Sequence, residues 1–322
     1  MALELTEIQA ITDDYVDKGT TDIYFDDNVL LYMLMAGGKF QDSLVSAGET
    51  VDGGQKIRVF LEHNKSNTGA YGNTTKIPQS KVDILNAARF PWAGYYASNA
   101  IDLDDQVQNS GDAALVSLVQ AKLKNIQKTI RDSMGTDIYA SAATANNFLG
   151  LGNLFDTTTA TAYGSIAEVD LAKWKANVDT TAEAISYKVM QSIRRNAAVG
   201  QSKSQKPNLY ITTELLKDGF ERTLQANVRY ADVKLVNAGF DNVLFGGQPV
   251  VADDKQATGH MDALNLNYMK CRTHAKYKFT TPKWEYSKDQ PDTLVANTRW
   301  IGQLTTSHRA AHCRHTALTE PI

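Results

Sequence analysis

At 322 residues, with 43% hydrophobic and 21% charged side chains, the chain has the composition of an ordinary globular protein of about two domains, not of a disordered one. Its net charge of −3 argues against broad electrostatic binding to nucleic acid, and its longest apolar run, residues 29–36, is far short of the roughly 18 residues that span a bilayer. Two cysteines, Cys271 and Cys313, cannot build a disulfide framework and read as free thiols of a reducing compartment; the acidic N-terminus carries no sign of a secretory signal. The charge is uneven, with 16 acidic and 8 basic residues in 1–110 against 20 and 25 in 111–322. Opposite halves of two copies could attract, although a fold with mixed surfaces gives the same count.

The first 47 residues read as an N-terminal arm. Leu5, Ile8 and Ile11 recur at helical spacing, residues 29–35 form a compact apolar patch, and Gly37-Gly38 ends it. The acidic stretch 13–27, punctuated by Gly and Thr, reads as extended. Gly53-Gly54 then precedes Ile57-Arg58-Val59-Phe60-Leu61-Glu62, a period-two strand pattern. Residues 63–76 are dense in Asn, Ser, Thr and Gly and cannot bury enough apolar surface to fold alone. A second extended segment carries Phe90, Trp92, Tyr95 and Tyr96. Together they predict a two-stranded protrusion between residues 52 and 101. An isolated ribbon of two strands is marginal in water, so it must find support outside its own domain.

Residues 111–140 predict one long helix. Leu115, Val119, Leu123, Ile126, Ile130 and Met134 fall on one face, Ser110 or Asp112 is placed to cap it, and Gly135 is placed to end it early. Lys122, Lys124, Lys128 and Arg131 are expected on the remaining surface. At ~1.5 Å per residue the helix is roughly 40 Å long, a beam rather than a core helix. Residues 141–165 read as loop or short strands. A second helix is expected near 181–196, with Ala184, Ile185, Val189 and Ile193 on one side. A strand at 209–211 leads into a helix capped by Thr212 or Thr213 and running to about Leu224. Residues 244–251 are turn chemistry followed by an apolar strand. Leu264, Leu266, Tyr268, Tyr277 and Phe279 alternate as in strands, and residues 298–304 and 310–318 read as the last strands.

Chemistry-bearing motifs are sparse. The sequence holds no nucleotide-binding glycine loop, serine-hydrolase elbow, zinc-protease helix motif or CxxC pair. The Gly-Gly pairs at 37, 53 and 246 sit where turns are needed. His308, His312, Cys313 and His315 are the densest group of metal-ligating residue types. On a strand, however, His312 faces away from Cys313 and His315, so a basic structural strand is the plainer reading. Asp102-Leu103-Asp104-Asp105 lacks the spaced donors of a calcium loop and reads as a turn before the long helix, and Asp253-Asp254 reads as a polar turn. Only Arg89 interleaves with Phe90, Trp92, Tyr95 and Tyr96, so packing on a protein surface fits these aromatics better than stacking on bases.

Several local segments carry a resemblance. Ala182-Glu183-Ala184-Ile185 looks like the start of an axial helix, and residues 208–218 look like the strand and helix that follow it. Phe245-Gly246-Gly247-Gln248-Pro249-Val250-Val251 is similar to a Gly-x-Pro-Val-Val turn with one residue inserted, and residues 304–318, with Arg314 and Thr316, look like a closing strand. With the order of elements, these resemble the major capsid proteins of tailed double-stranded DNA bacteriophages, of the Hong Kong ninety-seven type fold. The resemblance implies an α+β fold with an N-terminal arm (1–47), an extended β-hairpin loop (48–106), a peripheral domain with a spine helix (107–164), an axial domain (165–297) and a return to the peripheral domain (298–322).

It also implies a structural subunit, not an enzyme, with no cofactor and no metal, that self-assembles through pentamers and hexamers into an icosahedral virion shell around double-stranded DNA, without sequence-specific contact to that DNA. Assembly is expected in the host cytoplasm, with no membrane. A separate scaffolding protein, a portal and decoration proteins are the implied partners. The implied intersubunit residues are Phe60, Lys65, Tyr71, Lys76, Phe90, Trp92, Tyr95 and Tyr96. Some members weld subunits through a loop Lys and an Asn helped by a Glu. Lys65 or Lys76 and Asn297 could stand in those places, but residues 298–306 contain no acid, so no covalent crosslink is expected. The alternatives are an encapsulin-like compartment and a metal-dependent enzyme built on His308, His312 and His315.

Overall fold

The protein was analysed as a computed structural model that describes residues 28–35, 48–73, 76–102, 112–141, 146–224, 242–280, 284–288, 290 and 292–321. The expected helical stretch at Leu5–Ile11, the acids Asp104 and Asp105 and the cap candidate Ser110 lie outside the described residues.

Helix α1 (Val29–Met35) is the apolar patch of the arm. Asn28 caps it, its Oδ1 accepting from the Leu31 N–H at 2.7 Å, and Val29, Leu30, Leu31, Met33 and Leu34 are buried. A first sheet is organised around the 14-residue strand β13 (Thr293–Thr306). Strand β4 (Ala93–Asp102) runs antiparallel along one edge of it, from Thr293 opposite Asp102 to Gly302 opposite Ala93. Strands β11 (Met269–His274) and β12 (Glu285–Tyr286) share the other edge at opposite ends, and β1 (Gly48–Val51) adds in parallel to β11. At Gly302 the chain passes too close to its neighbours for a side chain, since a Cβ would stand 2.6 Å from the Arg272 carbonyl oxygen.

Helix α2 (Asp112–Tyr139) is the predicted beam. Leu123, Ile126, Ile130, Met134 and Ile138 all turn into the core it shares with the first sheet. The side chains of Leu115 and Val119 are outside the description. Two expectations fail here. Asp112 is already helical, and Gly135 does not stop the helix, which runs on to Tyr139. Arg131 is also buried rather than on the surface. The stretch 141–165, expected as loop or strand, contains a one-turn helix, α3 (Leu151–Leu154).

The second sheet has six strands in the order β5 (Val178–Asp179), β14 (Cys313–His315), β10 (Met261–Leu264), β7 (Leu209–Thr212), β9 (Gln248–Ala252) and β8 (Asn242–Phe245). Helices α4 (Tyr187–Asn196) and α5 (Glu214–Thr223) cover it through Val189, Met190, Ile193, Leu216 and Phe220. Residues 182–185 do not begin α4. Glu183–Ala184 is strand β6, paired in parallel with β15 (Leu318–Thr319), because the end of the chain supplies carbonyl partners at Ala317 and Thr319. The helix starts after Ser186, whose hydroxyl accepts from the Val189 N–H. Gly246 and Gly247, at φ +59° and +81°, make the tight β8–β9 turn that the sequence announced. Tyr277 and Phe279, expected in a strand, lie in an irregular connection where Phe279 takes φ +52°.

Candidate intersubunit surface

Strands β2 (Ile57–Glu62) and β3 (Leu85–Phe90) pair antiparallel with Ile57 opposite Phe90 and Glu62 opposite Leu85. Period-two alternation splits the ribbon into two faces. One face, with Ile57, Val59, Leu61, Ala88 and Phe90, is buried against the subunit itself. The Arg89 N–H donates to the Gly164 carbonyl at 2.7 Å, the Ser165 hydroxyl donates to the Arg89 carbonyl, and the Phe90 ring meets Tyr163 edge-on at 5.4 Å. Gly164, at φ +61°, is needed there, because a Cβ would stand 2.9 Å from the Phe90 ring.

The other face, Arg58, Phe60, Glu62, Leu85, Ala87 and Arg89, points away from the subunit, with Phe60 76% and Leu85 66% exposed. Beyond β2 and β3 the two legs continue side by side. The His63 N–H donates to the Ile84 carbonyl, and the Asn64 and Asn67 amides donate to the carbonyls of Asp83 and Ser80. Lys65, Tyr71, Lys76 and Ile77 are all exposed on this extension. Tyr71 at 75% and Ile77 at 68% exposure are large apolar side chains left largely uncovered by the described residues.

The predicted contact set therefore divides. Phe60, Lys65, Tyr71, Lys76 and Tyr96 are exposed. Phe90 and Tyr95 serve the subunit's own core and are corrected out of the set: Tyr95 donates to Asp137 Oδ2 at 2.8 Å, accepts from the Phe148 N–H and packs on the Phe148 and Trp300 rings. Trp92 is half-buried, its indole N–H donating to the Gly54 carbonyl and its ring on His274. The protrusion is also shorter than expected. Its second leg ends at Phe90, and β4 belongs to the first sheet. A run of alternating aromatics suits a ribbon or a sheet strand equally, and only the partner decides.

Among the described residues nothing covers the outer face of the first sheet around Tyr96 and Arg299. Ladder register sets Tyr96 beside Arg299 and Ser98 beside Asn297. Two adjoining hollows cross this face. One of about 850 Å³ is lined by residues including Tyr96, Asn146, Asn297 and Arg299, and one of about 540 Å³ by residues including Tyr277, Glu285, Tyr286, Asn297 and Arg299. An acid, Glu285, thus shares a hollow with Asn297 from the neighbouring strand. The segment after Asn297 in the sequence could not reveal it.

The histidine group does not converge. His312 is fully buried, with Nδ1 accepting from the Asn265 N–H at 3.1 Å and Nε2 3.2 Å from the Thr306 hydroxyl; burial lowers its pKa to about 3. His315 sits against Glu183, 3.3 Å from its Oε1, and His308 packs on the Tyr268 ring. Among the described residues no three His, Cys, Asp or Glu side chains are grouped to hold a metal ion, and no helix is long and apolar enough to cross a membrane. Asp102 accepts from the Thr293 hydroxyl at the end of the sheet.

Basic residues late in the chain hold the fold together instead. Arg309 is buried and donates to the carbonyls of Asn153, Leu154, Asp156 and Trp174, so that it helps cap the C-terminal end of α3. Arg314 makes a two-point pair with the fully buried Asp262, at 2.6 and 2.7 Å, and lies over the Phe155 ring.

No protein-family model and no curated protein sequence matches the chain. Solved structures do. A subunit of the cyanophage A-1(L) capsid superposes with a TM-score of 0.67 at 15% identity, covering 93% of this chain and 95% of that one. This chain has the Hong Kong ninety-seven type capsid fold. The capsid of the native GTA particle gives a TM-score of 0.58 at 11% identity, over 85% of this chain and 89% of that one, and the capsid of Myoviridae phage XM1 gives 0.51 at 12%, over 82% and 86%. In the terms of this capsid fold, α2 is the spine helix and the β2–β3 ribbon with its extension is the extended loop.

Proposed function

We propose that the chain is the major structural subunit of a phage capsid, self-assembling through pentamers and hexamers into an icosahedral shell around double-stranded DNA. The observation that carries this reading is the extended loop. One face of its base packs on its own subunit, while Phe60 and Leu85 on the other face and Tyr71 and Ile77 on the extension stand exposed. A neighbouring copy supplies the missing burial. The outer face of the first sheet, with Tyr96, Asn297 and Arg299, suits the receiving side, since it carries a partly apolar hollow that no described residue fills. Each contact is small, and closure multiplies them, so assembly rises steeply with concentration.

The role is structural, in the virion, without a catalytic step. A separate scaffolding protein, a portal and decoration proteins are the partners this reading calls for. The domain limits 1–47, 48–106, 107–164, 165–297 and 298–322 are proposed with it. The test is to purify the chain and examine it by size-exclusion chromatography and negative-stain microscopy. Megadalton closed particles are expected, and deletion of residues 62–76 is expected to leave a folded subunit that does not assemble. A small oligomer at every concentration, or normal particles from the deletion, overturns the reading.

A further inference from the structure

A groove of about 560 Å³ lies at the base of the extended loop, between the Val51–Gln55 turn and the ribbon, and four of its lining residues are basic: Lys56, Arg58, Arg89 and Arg272. Among the described residues no carboxylate lines it. Arg272 is partly spoken for, its Nε held 3.1 Å from Glu49 and one terminal nitrogen donating to the Arg58 carbonyl. Glu49 also serves Lys270 at 3.5 Å, so one acid faces two cations there. Among the described residues Lys56, Arg58 and Arg89 have no acidic partner, and all three are exposed. Arg58 and Arg89 stand opposite each other on the ribbon face that carries Phe60 and Leu85, so the groove continues the surface assigned above to subunit contact.

The same chain carries a matching anion. Residues 13–27 hold six aspartates, Asp13, Asp14, Asp17, Asp22, Asp26 and Asp27, and one base, Lys18. Fully extended, fifteen residues can span on the order of 50 Å. At about 560 Å³ the groove has room for a few residues of extended chain.

We propose that the acidic segment 13–27 of a neighbouring copy seats in this groove and pairs with Lys56, Arg58, Arg89 and Arg272. The inference rests on the shell reading and names what that reading leaves open, the partner of the basic loop base. Opposite charge steers the two copies together and selects this register over like-charged alternatives, and added salt weakens the contact.

The test uses the full chain in two forms, one carrying Gln55→Cys and the other Asp17→Cys, mixed before assembly; the native thiols Cys271 and Cys313 are buried. Mild oxidation of the shells is expected to give a disulfide-linked heterodimer. Adding Arg58→Glu and Arg89→Glu to the first form is expected to cut its yield at least tenfold, and Asp13→Lys with Asp14→Lys in the second form to restore part of it. An unchanged denaturation midpoint keeps misfolding apart from lost docking. Normal shells without the heterodimer overturn the docking and leave the shell reading standing. So does a chain carrying both cysteines that closes only within itself, or charge-reversed shells that keep the heterodimer and lose nucleic acid. Absence of shells from the unsubstituted chain overturns both.

Discussion

The hydroxyl of Tyr139, in the last turn of the spine helix, donates a 2.8 Å hydrogen bond to Oδ2 of Asp253, in the turn after β9 of the second sheet. Beside it Lys255 reaches back to the Asp132 carboxylate, the Asp132 carbonyl and the Thr136 hydroxyl of the same helix. The end of the beam is thus tied to the second sheet by polar contacts, beside the apolar cluster in which Met134 and Ile138 join Ile211, Val251 and Leu264.

Removing one side of that contact has a sign that depends on pH. Burial raises the Asp253 carboxyl above its ordinary 3.8. Its contribution to stability is therefore greatest below the unfolded value and is lost as pH rises through the folded value. Asp253→Asn mimics the protonated form, so it is expected to match or exceed the native chain in urea midpoint at pH 7.5, with the difference closing toward pH 4. Tyr139→Phe strands a buried acceptor and is expected to cost about 1–3 kcal/mol at pH 7.5. Asp253→Asn less stable than Tyr139→Phe at pH 7.5 contradicts this account.

His312 gives the opposite slope. Its folded pKa is lowered from 6.5 to about 3, so between those limits the unfolded chain binds the proton first. Stability is expected to fall by up to about 1.4 kcal/mol for each pH unit of acidification in that window. His312→Asn should be less stable at pH 7.5 and show a flatter profile between pH 6.5 and 4, followed by denaturant midpoints.

Arg309 is the fold's fork into backbone carbonyls rather than an ion pair. Arg309→Ala leaves the four carbonyls it serves without their donor, and a loss of about 3–5 kcal/mol is expected, read as a lower Tm and poor soluble yield. Arg309→Lys should recover less than half, because a single ammonium cannot span the same acceptors. Full recovery by Lys would show that charge, not fork geometry, matters.

Phe60 and Phe90 lie on the same ribbon and should behave oppositely. Phe90 is fully buried, so Phe90→Ala is expected to cost about 3–5 kcal/mol of subunit stability. Phe60→Ser should leave the unassembled subunit within about 0.5 kcal/mol of native, while raising the concentration needed for particles, as followed by light scattering. Assembly unaffected by Phe60→Ser would remove it from the contact surface.

Gly302 is a test of close approach. Gly302→Ala puts a methyl against the Arg272 carbonyl of the adjacent strand and against the Trp300 ring, neither of which has room to yield, and a loss of about 1–3 kcal/mol is expected in thermal unfolding.

What the sequence determined by itself was local. The spacing of Leu123, Ile126, Ile130 and Met134 placed the 28-residue spine helix almost to the residue, the alternation from Ile57 to Glu62 placed β2, and Gly246-Gly247 placed the turn into Val250 and Val251. Each of these is a period or a backbone need that a few neighbours in the chain define. Partners across the chain were decided by the tertiary structure. Only there does Tyr95 become core while Tyr96, one residue on, stays exposed beside Arg299, and only there does Arg309 find carbonyls 135 to 156 residues away. An alternating pattern says that a strand has two faces; which face is dry depends on what long-range folding brings against it. The same holds for the basic groove, whose four cations come from three separate stretches of sequence and meet only where the ribbon leaves the sheet.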